Sequence, residues 1–150
     1  MRMLAVAIAV LLVTPVAAQT LARAEPGWIA DARTGCRIWN AEPKPNQSVS
    51  WSGGCQNRLA QGRGVLQWFL NGRPDDRYDG DLVAGKYDGQ GRYVWAASGF
   101  HYEGEWRDGL ANGTGELTTA KGHYKGSWTK GCFRDGALRA WIGVKPSSCQ

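Results

Sequence analysis

The chain of 150 residues is read as a single domain. Its 4 Cys and 2 His, with no CxxC or HxxxH spacing, give no support to a zinc site. A content of 21 Gly and 8 Trp is foreign to an ordinary globular core, in which Gly is about 7% of residues, and the two excesses together call for a repetitive structure.

In chain order, the first segment is MRMLAVAIAVLLVTPVAA. Arg2 precedes an apolar run from Leu4 to Val13, Pro15 breaks the helix, and Val16, Ala17 and Ala18 supply small residues, the pattern of a secretory signal peptide. The run is about half of the roughly 20 residues that a membrane span needs. Cleavage after Ala18 is therefore expected, leaving Gln19 first, a net charge of +4, and a periplasmic or extracellular product. Beyond the 1-18 signal peptide, residues 19-34 are expected to be a flexible N-terminal segment, 35-50 an N-terminal cap, 51-136 repeats, and 137-150 a C-terminal cap.

Self-similarity carries the rest. Tyr78-Asp-Gly-Asp-Leu82, Tyr102-Glu-Gly-Glu-Trp106 and Tyr124-Lys-Gly-Ser-Trp128 share one pattern, aromatic-x-Gly-x-large apolar, and Trp51-Ser-Gly-Gly-Cys55 is a degenerate copy upstream. Seven places after each Tyr stands Gly85, Gly109 or Gly131, and a Gly-x-Gly pair recurs at Gly62 and Gly64, Gly89 and Gly91, and Gly113 and Gly115. Each unit reads as a β-hairpin. The spacing of two in Tyr102, Gly104 and Trp106 puts them on one face of a strand, with Glu103, Glu105 and Arg107 on the other. The glycines are expected to bracket a turn, with second strands at Leu66 to Trp68, Tyr93 to Trp95 and Leu117 to Thr119. Gly104 is expected to leave room for a neighbouring repeat's ring. One hairpin cannot bury its own face, so neighbours must stack and altered units must close the ends. Four cysteines allow three pairings, and loop closure favours the short loops, Cys36 with Cys55 and Cys132 with Cys149.

The units YDGDLVAGKYDGQGRYVW and YEGEWRDGLANGTGELTT closely resemble MORN (membrane occupation and recognition nexus) repeats, whose usual form is Y-x-G-x-W, a Gly, and a later G-x-G followed by an apolar residue. From Trp28 on, the chain looks like a group of exported bacterial MORN proteins that open with Cys-x-x-Trp, here Cys36 to Trp39, and close with Gly-Cys-Phe-Arg-Asp-Gly. The first unit departs at Trp51 and Cys55, Leu82 stands where Trp is usual, and the last unit loses its second-strand pattern, so three to four repeats is the count. The resemblance implies an all-β fold, an elongated single-layer antiparallel sheet of stacked hairpins, with roles in protein association and scaffolding.

Reactive constellations are missing from the sequence. His101 and His123 both precede a repeat Tyr, where the preceding unit has Arg77, and a position that recurs with the repeat suits an edge or solvent residue better than a catalyst. Asp79, Asp81, Glu103 and Glu105 alternate on the outer strand face, where they solubilise the sheet. Gly89-Gln-Gly91 lacks the third Gly of a nucleotide loop and no helix follows it. Neither an enzyme nor a cofactor is therefore expected, although a small hydrolase using His101, His123, Glu103 or Glu116 is the reading that turnover assays would have to exclude. Trp51, Trp68, Tyr78, Tyr93, Trp95, Tyr102, Trp106, Tyr124 and Trp128 form the repeat core, and part of that aromatic face is expected to stay open as a binding surface. Charge is uneven: residues 75–108 are net −4 and residues 121–145 net +5. The function expected is an exported protein-interaction or scaffolding module, with self-association as one form of it. The alternative is a binder of anionic lipid or envelope glycan through the basic patch Lys121, Lys125, Lys130, Arg134 and Arg139. Nucleic acid is not an expected partner.

Overall fold

The computed structural model describes residues 27–150. The expected signal peptide and its cleavage point lie outside the described residues. Twelve strands follow: β1 (Gly27–Ala30), β2 (Arg37–Asn40), β3 (Gln47–Trp51), β4 (Gly54–Gln56), β5 (Leu59–Leu70), β6 (Arg73–Val83), β7 (Lys86–Val94), β8 (His101–Arg107), β9 (Leu110–Thr119), β10 (Gly122–Thr129), β11 (Cys132–Asp135) and β12 (Leu138–Trp141), with a 3-10 turn at Pro146–Cys149. All belong to one open sheet, and from β5 to β12 each strand pairs antiparallel with the next.

The amino-terminal part corrects one expectation. Residues 27–34 are not a flexible tail: Trp28 and Ile29 pair with Trp39 and Ile38, and Ile38 is fully buried, so β1 gains a partner and an apolar anchor. The antiparallel sheet of stacked hairpins forms as expected, with one parallel contact near its amino-terminal edge. β3 and β4 both pair with the long β5, leaving the β1–β2 hairpin to join through one parallel bridge, Arg37 to Leu59, and through the Trp39 amide, which donates to the Gly85 carbonyl at 2.9 Å. The last strand, Leu138–Trp141, lies in the expected C-terminal cap.

Two-residue turns punctuate the meander. Asn71-Gly72, Ala84-Gly85, Asp108-Gly109 and Lys130-Gly131 all hold both residues at positive φ, the geometry whose twist matches that of the flanking strands. The Gly-x-Gly pairs do not bracket these turns. They lie inside the second strands, and their Gly64, Gly91 and Gly115 pair with Gly80, Gly104 and Gly126 of the first strands in one row across β5 to β10. A Cβ on Gly91 or Gly115 would enter the ring of Tyr78 or Tyr102. Each such glycine therefore makes room for the tyrosine of its own unit. Gly104 likewise abuts Gly115, Thr114 and Tyr102, not a neighbouring repeat's ring.

Hydrogen bonds lock this arrangement. The Tyr78 hydroxyl donates to the Asp81 carbonyl at 2.9 Å and the Tyr102 hydroxyl to that of Glu105 at 3.1 Å. The Trp106 and Trp128 indoles donate to the carbonyls of Gly91 and Gly115, one unit back. The turn glycines extend the same link: the amides of Gly85, Gly109 and Gly131 donate to the carbonyls of Ala60, Tyr87 and Ala111, each at 2.8 Å. Those acceptors stand nine places after Trp51, Tyr78 and Tyr102, and the fourth member of the series is the buried Phe133.

The core lies along one face of the sheet, where Leu66, Trp68, Tyr78, Leu82, Tyr102, Trp106, Leu117 and Trp128 are buried at intervals of two along their strands. Disulfides join Cys36 to Cys55 and Cys132 to Cys149, with Cα separations of 5.8 and 5.4 Å, and staple the two ends of the sheet.

Candidate functional site

The apolar face is not fully covered by its own stacking. A groove of about 280 Å3 opens on it, lined by Trp39, Trp68, Tyr87, Tyr93, Trp95 and Trp106. Glu42 and Lys44, from the loop after β2, and Ile142 and Gly143, after β12, close its rim, so both ends of the chain contribute to one cavity. Trp68 and Trp106 form its buried floor, while Trp39, Tyr87, Tyr93 and Trp95 are half-buried. The rings are oriented by one another. Tyr87 meets Trp106 edge-on at 5.2 Å and Tyr93 at 5.7 Å, and Tyr93 is tilted against Trp95 at 4.7 Å.

Polar groups in the groove are tied to the frame. The Trp68 indole donates to the Tyr87 hydroxyl at 3.2 Å, and the Tyr93 hydroxyl donates to Asp76 Oδ2 at 2.9 Å. Asp76 Oδ1 accepts from the Ala96 amide at 2.9 Å. Burial pushes the Tyr87 and Tyr93 phenols well above their ordinary range, and the nearby Asp76 charge adds to the effect. Both therefore stay neutral and serve as hydrogen-bonding aromatics.

On the other face, side chains of opposite charge meet across the strands, Arg63 with Asp81, Arg92 with Glu103, and Lys125 and His123 with Glu116, and along β6, Arg77 with Asp79. His123 Nδ1 lies 2.8 Å from Glu116 Oε1, and this contact first, then the Lys125 charge, holds the Glu116 carboxyl below its usual range. His101 lines the same open surface, with Thr118 between it and His123 in the register of β8, β9 and β10. No group of three or more His, Cys, Asp or Glu able to hold a metal ion occurs among the described residues.

The residues singled out from the sequence thus separate. Trp51, Trp68, Tyr78, Tyr102, Trp106 and Trp128 are core, whereas Tyr93, Trp95 and Tyr124 are half-buried, the first two in the groove. The five bases do not form one patch. Lys121 and Lys130 flank β10 at its opposite ends, about 30 Å apart over nine steps at roughly 3.3 Å each. Arg134 is bound to the Cys149 carbonyl, and Arg139 to the carbonyls of Gly136 and Leu138. Sequence reasoning missed Tyr87, Trp39 and Asp76. Tyr87 was marked by the apolar series at position nine, Ala60, Tyr87, Ala111 and Phe133; no repeat signal marks the other two.

The sequence model of the MORN repeat matches residues 78–99 and 102–124, the two units whose Tyr rings rest on Gly91 and Gly115. No curated protein matches the chain. MORN repeats are in general modules of protein or membrane interaction and are non-enzymatic. Repeat spacing, hairpin geometry and family match agree: this chain is a MORN repeat-containing protein.

Proposed function

We propose that the protein is a non-catalytic, exported interaction module that docks a protein partner on the open charged face of its sheet. The observation that carries this reading is the uncovered polar surface running across β5 to β10, on which Arg63, Arg77, Arg92, Glu103 and Glu116 stand in register. Such a surface offers many directional contacts, in open depressions of about 470 and 600 Å3 lined by charged side chains. Export is supported by the amino-terminal pattern and by two disulfides, which persist in oxidising compartments. The test is cross-linked affinity capture from the envelope fraction, beside Arg63→Glu/Arg92→Glu. A partner retained by the parent and lost by the charge-reversed variant is expected; equal recovery by both would overturn the docking face. Sequencing the mature amino terminus should find Gln19, and a retained Met1 would overturn export by signal cleavage.

A second reading is favoured by one feature, the β11–β12 hairpin, where Trp141 (47% exposed) shares a strand face with Arg139 and its register partner Arg134. Exposed apolar side chains among fixed bases suit the surface of an anionic membrane. Sedimentation with anionic vesicles should then fall steeply between low and physiological salt. Salt-independent sedimentation, or none, would remove this reading.

A further inference from the structure

The groove lies on the face opposite the charged rows, and its chemistry differs from theirs. Its lining carries two lysines and two acids, yet the lysines are already committed: Lys44 Nζ is 3.2 Å from Asp75 Oδ2, and Lys86 Nζ is 2.6 Å from Asp108 Oδ1. No ion pair engages Asp76 or Glu42 among the described residues. The carboxylate of Asp76 sits at the Tyr93 end of the ring cluster, held by the Tyr93 hydroxyl and the Ala96 amide and lacking a cation. Most directional donors face inward, since the Trp68 and Trp106 indoles and the Tyr93 hydroxyl all donate within the protein. What the groove offers is ring surface and negative charge.

Ring faces attract cations through their quadrupole, and the attraction is strongest for a cation whose own hydration is weak. The chain itself places a cation on one of these rings: the Lys86 ammonium lies 5.9 Å from the centre of the Trp39 ring. A sugar or peptide amide would instead need free donors and acceptors. The volume, about 280 Å3, is at the lower edge of the roughly 300–1,000 Å3 typical of small-molecule sites, which suits a headgroup and excludes a polymer.

We propose that this groove binds a small quaternary ammonium group of the choline kind, held among Trp39, Tyr87, Tyr93 and Trp95 with the Asp76 carboxylate as counter-charge. This site is independent of the protein-docking face and does not use the basic hairpin. Its ligand carries positive charge, opposite in sign to what the second functional reading requires. Lys86 acts as an internal competitor for the Trp39 face.

Choline, titrated against the protein and followed by tryptophan fluorescence, should bind saturably. Its neutral carbon isostere, 3,3-dimethylbutanol, should bind at least tenfold more weakly. Asp76→Asn should weaken choline binding at least tenfold, with the fold checked by circular dichroism. Because Asp76 also anchors Tyr93 and Ala96, a second variant keeps the test decisive: Lys86→Gln, which removes an exposed ion pair, should tighten choline binding several-fold by freeing the Trp39 face. Vesicles of phosphatidylcholine separate the source of the group, since sedimentation with them marks a lipid headgroup and choline binding without it marks the free ligand. Absence of saturable choline binding, equal affinity for the neutral isostere, or weaker binding by the lysine variant would overturn the proposal.

Discussion

Gly115 shows how a single atom decides the packing of a repeat. The Tyr102 ring rests where a Cβ on Gly115 would lie, and its hydroxyl closes on the Glu105 carbonyl. Gly115→Ala should therefore destabilise the fold by about 1–3 kcal/mol through overpacking, read as a lower urea midpoint at unchanged slope. A variant within about 0.5 kcal/mol of the parent, the range of a neutral surface change, would show that the ring has other room. Asp31 is a second such point. It is 1% exposed, and Oδ2 accepts the buried Trp51 amide at 2.9 Å, so the first hairpin is tied to β3 by one carboxylate. Burial alone would raise its pKa, but hydrogen bonds from the Arg33 side chain and from the Trp51 and Arg33 amides outweigh burial and hold it below the ordinary 3.8. A pKa lower in the folded than in the unfolded chain means a contribution present in full above about pH 4 and lost as acid protonates the folded carboxylate. Asp31→Ala should cost about 1–3 kcal/mol at neutral pH by orphaning the Trp51 amide, and the difference from the parent should shrink in acid. A pH-independent difference would assign the loss to packing.

At the scale of elements, the middle of the sheet and its ends are held by different means. Strands β6 to β9 are joined by long antiparallel ladders, and the Gly85, Gly109 and Gly131 amides tie the alternate turns β6–β7, β8–β9 and β10–β11 back to β5, β7 and β9. The ends have short strands, and their disulfides close sequence separations of 19 and 17 residues. Cross-links over loops of that length are worth roughly 3 kcal/mol each in the chain-entropy account. Reduction should therefore speed amide exchange in β1 to β4 and in β11 and β12 first, leaving β6 to β9 protected. Uniform loss of protection would show that the sheet unfolds as one unit and that the caps sustain all of it. The groove depends on the same caps, because its rim takes Trp39 from one end and Ile142 from the other.

Across the whole molecule, burial of phenols links stability to alkaline pH. Tyr78, Tyr87, Tyr93 and Tyr102 all have pKa values raised above the ordinary 10.0, with desolvation the largest cause in each. Their pKa is higher in the folded chain than in the unfolded one, so the contribution is complete below about pH 10 and declines as pH rises beyond it. Spectrophotometric titration should show these four ionising only together with unfolding; ionisation of all five tyrosines near pH 10 in a folded chain would contradict the packing. The charged face follows another rule, since its pairs are exposed and individually weak, and salt should affect partner binding more than folding. The sequence by itself determined the repeat and the face on which Tyr78, Tyr102 and Trp106 lie, and it favoured, among three possible pairings, the cysteine pairing that the structure shows. Period-two alternation, turn glycines and short loop closure are local, and local geometry is written in adjacent residues. Only the tertiary structure decided that Trp28 and Ile29 form a strand, that the five bases are scattered or internally bound, and that Trp39, Asp76 and Tyr87 meet in one groove. Those outcomes depend on register and on how hairpins far apart in the chain pack over one another, which no spacing along the sequence encodes.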